Sequence, residues 1–434
     1  MSPQLRLIWI LVVASASSLL AVTGLVAWTL WIAAAAVAAA AVIADGLRCW
    51  FTHSPSAQRE LPASLAIGAV TRVRLRIHGH GHRRLGLRLF DHFPDDFVCE
   101  DFPADVQIEP GRFVDLRYRV LPQSRGQHSF GQVQCLVSSP FGLWWRRIRL
   151  AETQSVRVYP NFAEVKKYAL LAAEPRLGNL GVVQRRRRGE GSEFHQLREY
   201  TEGDSLARID WRASARMRKL ISREYQDERD QTVVFLLDCG RRMRAKDGPY
   251  SHFDQALNAL LLLTYVALRK GDSVGVATFS GDDRWLKPRK GRGMLNAVLN
   301  QLYDLQPSPS TPDYEQAALR LLARQRKRAL VVIITNLRDE DSTELEAALH
   351  ALRARHLVLI ASLREAALDL SLEQSVHDLK SALKTASVRL YLAEREHALA
   401  KIRGTGVPAL DVTPEHLSVD LVNNYLAIKA GGTL

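Results

Sequence analysis

A chain of 434 residues, 47% of them hydrophobic, exceeds one ordinary domain and can fill more than one core. Its 59 Lys and Arg against 46 Asp and Glu leave a formal charge of +13, which suits an anionic membrane face, an acidic protein or nucleic acid without choosing among them. The four cysteines (Cys49, Cys99, Cys135, Cys239) lie far apart with no CxxC pair, so neither a zinc site nor a disulfide framework is indicated, and a reducing compartment is expected.

No charged residue occurs between residues 7 and 44. One helix through that stretch would be about 55 Å long at ~1.5 Å per residue, whereas a bilayer core is about 30 Å thick. Two spans, about 5–22 and 25–44, fit better, with a turn at Thr23-Gly24 and with Trp28 and Trp31 near the far interface. "SAS" at 15–17 offers small residues to a signal peptidase, but the apolar run continues well past it. Arg6 and Arg48 bracket the stretch and both favour the cytoplasm, so residues 1–50 are expected to form a two-pass hairpin with the remaining chain cytoplasmic.

From 60 to 160 the pattern shifts to short alternating runs, such as "TRVRLRIHG" at 71–79 and "RFVDLRYRV" at 112–120, separated by Gly, Pro and Asp. That is the signature of an antiparallel β-sandwich. "SSPFGLWWRRIRL" at 138–150 sets Pro-Phe-Gly at a turn before an aromatic and basic closing strand. His78, His80 and His82 alternate in "HGHGH", but no second ligand group accompanies them and Gly79 and Gly81 mark a turn, so a polar hairpin tip is expected rather than a metal site.

Residues 161–230 read as a linker and a distinctive block. The run Arg185, Arg186, Arg187, Arg188 stands beside glycines, as solvated loops do; as a functional surface it would suit anionic lipid head groups. No aromatic-rich RNA or DNA module accompanies it, and nucleic acid is not an expected partner. From 231 to 434 apolar strands at 232–237, 273–279, 330–335, 357–362 and 408–412 alternate with amphipathic helices, notably 254–271, which implies a doubly wound, mostly parallel sheet. Neither GxGxxG, GxxxxGK[ST] nor GxSxG occurs at a strand end.

The segment "GEGSEFHQLREYTEGDSLARIDWRASARMRKLISREYQDERDQTVVFLLDCGRRM" carries "LREY", "GD", "RIDWRASAR", "REY" and a strand ending in Asp. In order, spacing and identity it resembles the bacterial family called domain of unknown function 58. The resemblance extends over nearly the whole chain and implies a membrane hairpin, a β-rich domain with a "PFGL" turn, the signature block and a von Willebrand factor A-like domain. It implies residence in the bacterial inner membrane, partnership with a MoxR-type AAA+ ATPase, no established enzymatic activity and no cofactor. The implied function is a membrane-anchored adaptor or scaffold in assembly or quality control of membrane or envelope proteins; the alternative is a hydrolase using Asp204 and Asp210.

The metal-dependent adhesion site of von Willebrand A domains resembles Asp-x-Ser-x-Ser after the first strand, a threonine from a later loop and an aspartate after the fourth strand. Carried onto this chain, Asp238 keeps the first position, Gly240 and Arg242 replace the serines, Thr311 keeps the threonine and Asn336 replaces the second aspartate. Hard cations favour anionic oxygen ligands, so the site is expected to be degenerate and metal-free, with Arg242 paired to Asp238 as a counter-ion. In the signature block, Arg198, Tyr200, Gly203, Asp204, Arg208, Asp210, Trp211, Arg212, Arg216, Arg223 and Glu224 are singled out. Asp210 and a buried Trp211 are expected to staple the block to the sheet, while Arg208, Arg212 and the Arg185 to Arg188 run lie nearer to a partner or the membrane.

Overall fold

The computed structural model describes residues 1–23, 28–81, 83–161, 193–201, 205–226, 231–248, 250–291 and 293–431. The chain divides into two compact units, Met1–Tyr159 and Pro160–Leu434.

The first unit opens with two helices, α1 (Leu5–Val22) and α2 (Trp28–Trp50). By length and composition α2, with mean hydropathy 2.0, is the one candidate membrane span among the described residues; the apolar part of α1 is shorter. The turn expected at Thr23-Gly24 falls largely outside the described residues. Trp28 and Trp31 stack with ring centroids 5.4 Å apart, and the Trp31 indole donates to Ser17 Oγ at 3.1 Å, which ties the helices together.

The second span was expected to end at 44, yet α2 continues to Trp50. The reason is a cap supplied from the β-domain. Arg146 Nη1 donates to the carbonyls of Cys49, Trp50 and Thr52 at 3.3, 2.7 and 2.8 Å, where a helix end leaves orphan acceptors. The Trp144 indole donates to Val42 O at 3.1 Å, and the Phe141 N–H donates at 3.1 Å to Asp45, which is fully buried. The Pro-Phe-Gly turn therefore seats directly on α2.

The β-domain consists of short sheets whose alternating residues face inward. One sheet orders Ser2–Pro3, Trp144–Arg149, Val133–Ser138, Leu85–Asp91 and Ala104–Ile108, all antiparallel. A second orders Ser56–Glu60, Thr71–His78, Phe113–Pro122 and Phe97–Val98, and a third Ser64–Ala66, Gln154–Tyr159 and Gly126–Phe130. Val73, Leu75, Ile77, Leu87, Leu89, Tyr118 and Val137 form the core at the period-two positions. The His78 ring rests on Phe113, His80 Nε2 lies 2.7 Å from Ser56 Oγ, and His82 is outside the described residues.

In the second unit a hairpin of Glu193–Glu199 and Ile221–Gln226 brackets helix α3 (Trp211–Met217). The main sheet comprises β1 (Thr232–Asp238), β2 (Ser273–Phe279), β3 (Trp285–Arg289), β4 (Leu330–Thr335), β5 (Leu357–Leu363) and β6 (Ala409–Val412) in the order 3-2-1-4-5-6. All neighbours run parallel except the β3 edge. Strands buried on both faces explain the continuous apolar runs in the sequence.

On one face Val233, Phe235 and Leu237 pack beneath α4 (His252–Arg269), α5 (Gly293–Leu302) and α10 (Pro414–Ala430). On the other, Val234 and Leu236 pack beneath α6 (Tyr314–Arg324), α7 (Ser342–Arg353) and α9 (Leu379–Gly404). A short helix, α8 (Ala366–Glu373), precedes α9. A Ser251–Asp254 capping box starts α4 where the sequence turns from polar to apolar.

Candidate functional site

Open α/β sheets receive ligands outside the carboxyl ends of their strands, where the strand order reverses. In this sheet that point lies between β1 and β4, and the two strands end in Asp238 and Thr335. The two side chains close on each other. Thr335 Oγ1 donates to Asp238 Oδ2 at 2.7 Å, the Gly240 N–H donates to Asp238 Oδ1 at 2.7 Å, and Thr335 in turn meets the Tyr314 hydroxyl at 2.8 Å. Burial pushes the Asp238 carboxyl above its ordinary range, against the pull of the Thr335 and Gly240 hydrogen bonds. Burial likewise drives the Tyr314 phenol well above its usual value.

Two arginines occupy the surroundings. Arg242, in the single turn Arg241–Arg244, pairs with Asp341 and with Glu340 (2.5 Å). Burial opposes its charge, but the Asp341 hydrogen bond and the two carboxylates outweigh it and hold the guanidinium above its ordinary value. The expected Arg242–Asp238 pair is therefore not formed: Asp238 is satisfied by Gly240 and Thr335, and Arg242 turns to the loop after β4.

Arg395, on α9, is 1% exposed, as deeply buried as Asp238. It reaches Asp411 Oδ1 through Nε and Nη2 at 3.0 and 2.8 Å, Asn336 Oδ1 at 3.2 Å, Ser362 Oγ and Leu363 O at 2.7 Å, and Leu337 O. Its fork thus joins the ends of β4, β5 and β6. Asn336 spends its amide on Glu365 Oε1 at 3.1 Å, and His252 Nε2 lies 2.9 Å from Asp247.

Of the five positions expected to form a degenerate metal site, Asp238, Gly240, Arg242 and Asn336 are buried together at this end of the sheet. Thr311 is exposed, and the threonine that bonds Asp238 is Thr335, from the end of β4 itself. Gly240 is held by crowding: a Cβ there would lie 3.0 Å from both Asp238 Oδ1 and Ser310 O. Among the described residues no group of three or more His, Cys, Asp or Glu is arranged to hold a metal ion.

The signature block departs from expectation at its tryptophan. Trp211 is 68% exposed. It is the first residue of α3, capped by Asp210, whose Oδ1 accepts from the Ala213 N–H at 3.0 Å; this start faces its side chain to solvent, and the buried residues of the block are Ile209, Ser214, Ile221 and Ser222. Ser214 Oγ accepts from the Ile221 N–H at 2.9 Å and fastens α3 to the hairpin. Asp210 Oδ2 lies 3.8 Å from Arg223 Nε, so both of its oxygens face partners within the block. Arg212 and Arg216 are exposed. Arg198 donates to Thr201 Oγ1 at 2.9 Å, and the Tyr200 N–H to Leu220 O. Arg208 lies in the turn Leu206–Arg208 and Glu224 in the Ile221–Gln226 strand. Gly203, Asp204 and Arg185 to Arg188 fall outside the described residues.

Fold and site together define a mixed α/β protein with an N-terminal apolar helix, antiparallel sheets and a largely parallel sheet whose carboxyl end is closed by internal ion pairs. Residues 196–397 match the family model described as "Protein of unknown function DUF58". The chain is similar to "Uncharacterized protein YeaD" of Bacillus subtilis (strain 168), 22% identical over 242 residues that cover 54% of this chain and 56% of the relative. It is also similar to "Uncharacterized protein Rv1480" of Mycobacterium tuberculosis (strain ATCC 25618 / H37Rv), 24% identical over 272 residues covering 59% of this chain and 84% of the relative. The chain thus spans about half the length of the Bacillus relative. Among solved structures it is similar to Salmonella alpha-2-macroglobulin reacted with methylamine (20% identity, 24% of this chain and 7% of that chain, TM-score 0.19). A PapD-like domain of human CEP192 gives 13% identity, 24% and 84% coverage and a TM-score of 0.19.

Proposed function

We propose that this chain is a two-pass inner-membrane adaptor whose second unit is a von Willebrand A-like domain that has exchanged its metal site for internal ion pairs. Strand order 3-2-1-4-5-6 with one antiparallel edge supports the fold reading. The two arginine clamps support the loss of metal, because each sets a fixed cation against the carboxylates that would draw a mobile one. A MoxR-type AAA+ ATPase is the partner that the family resemblance suggests, with assembly or quality control of membrane or envelope proteins as the task. Arg6 and Arg48 at the two ends of the helical pair support cytoplasmic placement of both units.

The observation that carries the adaptor reading is the exposed Trp211. A large aromatic presented to solvent beside Arg212 and Arg216 has the composition of an interface hot spot. Leu206, Met217 and Leu220 in the same block are also largely exposed. Trp211→Ala is expected to leave the melting temperature of the full chain unchanged and to weaken ATPase capture by about 2 kcal/mol, roughly thirtyfold. Loss of folding, or capture at full strength, refutes Trp211 as the docking residue.

A further inference from the structure

Helix α9 presents to solvent a second apolar surface, remote in sequence from the signature block. Leu379, Leu383, Ala386, Leu390, Ala393, His397 and Ala400 are all exposed, and their spacing is 4-3-4-3-4-3. That is the a/d alternation of a coiled-coil seam, about 32 Å long at ~1.5 Å per residue. Leu379, Leu383 and Leu390 are 76%, 60% and 62% exposed. The buried residues Val388, Arg395 and Ile402 recur every seven positions on the opposite side, where α9 meets the sheet. The fold therefore uses one face of α9 and leaves a complete heptad face uncovered.

We infer that a second copy of this chain covers that face, pairing α9 with α9 as a parallel two-stranded coiled coil. The flanking charges select this occupant and its direction. With Leu383, Leu390 and His397 at a, the e positions are Lys380, Ser387, Glu394 and Lys401, and the g positions are Ala382, Arg389, Glu396 and Arg403. A parallel pair sets each g residue against the e residue five further along its partner helix, which brings Arg389 to Glu394 and Glu396 to Lys401, with no like-charge pair. The two antiparallel registers that align the seam each produce one: Arg389 against its own copy in the first, Lys380 against Lys401 in the second. Within the chain Glu396 reaches Arg403 at 2.9 Å, an exposed contact that exchanges at little cost, and Lys401 reaches the half-buried Glu346 at 2.7 Å, a contact it would exchange for Glu396 of the second copy. Pairing along α9 requires neither the ATPase nor Trp211.

Ala386→Cys and Ala393→Cys in the full chain, oxidised in native membranes, test it. In a parallel seam each cysteine meets its own copy, so disulfide-linked dimers are expected from both, and at least tenfold fewer from Lys384→Cys, which lies off the seam. Arg389→Glu and Glu394→Arg each place like charges across the seam and should lower dimer yield severalfold, and the double exchange should restore it. Leu390→Glu should leave detergent-solubilised protein monomeric in light scattering while its melting temperature stays at that of the wild type. The inference is overturned if a chain carrying Ala386→Cys couples to a co-expressed chain carrying Leu390→Cys rather than to its own copy, since that is the antiparallel arrangement. It is equally overturned if the full chain is a monomer whose seam cysteines form no dimers, as when another segment of the chain covers the face.

Discussion

Arg395→Met in the full chain removes the guanidinium that joins the ends of β4, β5 and β6 and leaves its partners in place. Its ion pair with Asp411 spans 2.8 Å, with side-chain exposures of 1% and 11%, so water replaces the lost cation poorly. Breaking a buried pair by removing one member costs about 3–5 kcal/mol. Arg364, 3.9 Å from the other Asp411 oxygen, moderates the cost, while the carbonyls of Leu337 and Leu363 lose a donor and raise it. At ~2–4 °C per kcal/mol for a domain of this size, the melting temperature should fall by roughly 6–20 °C, read by tryptophan fluorescence in detergent. Arg395→Lys should recover little, because an ammonium cannot reproduce the planar fork. The double variant Arg395→Met with Asp411→Leu should recover much of the loss, since a buried pair can be replaced by apolar side chains with little net cost. A single Arg395→Met variant that melts within about 2 °C of the wild type while losing partner binding would show that this cation serves a ligand instead.

Further outcomes follow from the same geometry. Folding raises the Asp238 pKa through burial, so the native state holds more protons than the unfolded chain across the interval between the two values, and stability falls as pH rises through it. Asp238→Asn should therefore melt at or above the wild type at pH 8, with the difference closing as pH drops below the ordinary carboxylate range; a variant less stable than the wild type at pH 8 contradicts this. Calorimetric titration of the full chain with millimolar Mg2+ should show no saturable heat. The triple change Gly240→Ser, Arg242→Ser, Asn336→Asp should not create a site either, because a Cβ at 240 crowds Asp238 and a carboxylate at 336 would be taken by Arg395; saturable binding by either protein refutes the clamp. Reporter fusions after His53 and at Leu434 should both report the cytoplasm, and an exported signal from either removes the hairpin.

The parts of the fold that the sequence made legible are those where burial writes a period into the chain. Strands β1, β2, β4 and β5 fall within a residue of their apolar runs because both faces of each are covered, and α4, expected at 254–271, runs from His252 to Arg269. What escaped are interactions set by tertiary geometry. Arg395 is one of 59 basic residues, and its composition is unremarkable. The signal that finds it is positional: it stands midway between Val388 and Ile402 on the apolar face that α9 turns inward, where a solvated arginine has no place. Trp211 departs from the sequence expectation for the converse reason. Its size argues for the core, but an aspartate N-cap immediately before it makes it the first residue of α3, at the helix end, where its side chain stays largely in solvent. Arg242 and Asp238 are neighbours in sequence, and proximity suggested a pair. A carboxylate already holding a backbone N–H and a threonine hydroxyl has little left to gain from a cation, whereas Asp341 and Glu340, brought in from the loop after β4, offer two open acceptors. The carboxyl end of the sheet is in consequence stabilised by its own charges, while α3 and the outer face of α9 keep large apolar side chains, Trp211, Leu383 and Leu390 among them, in solvent.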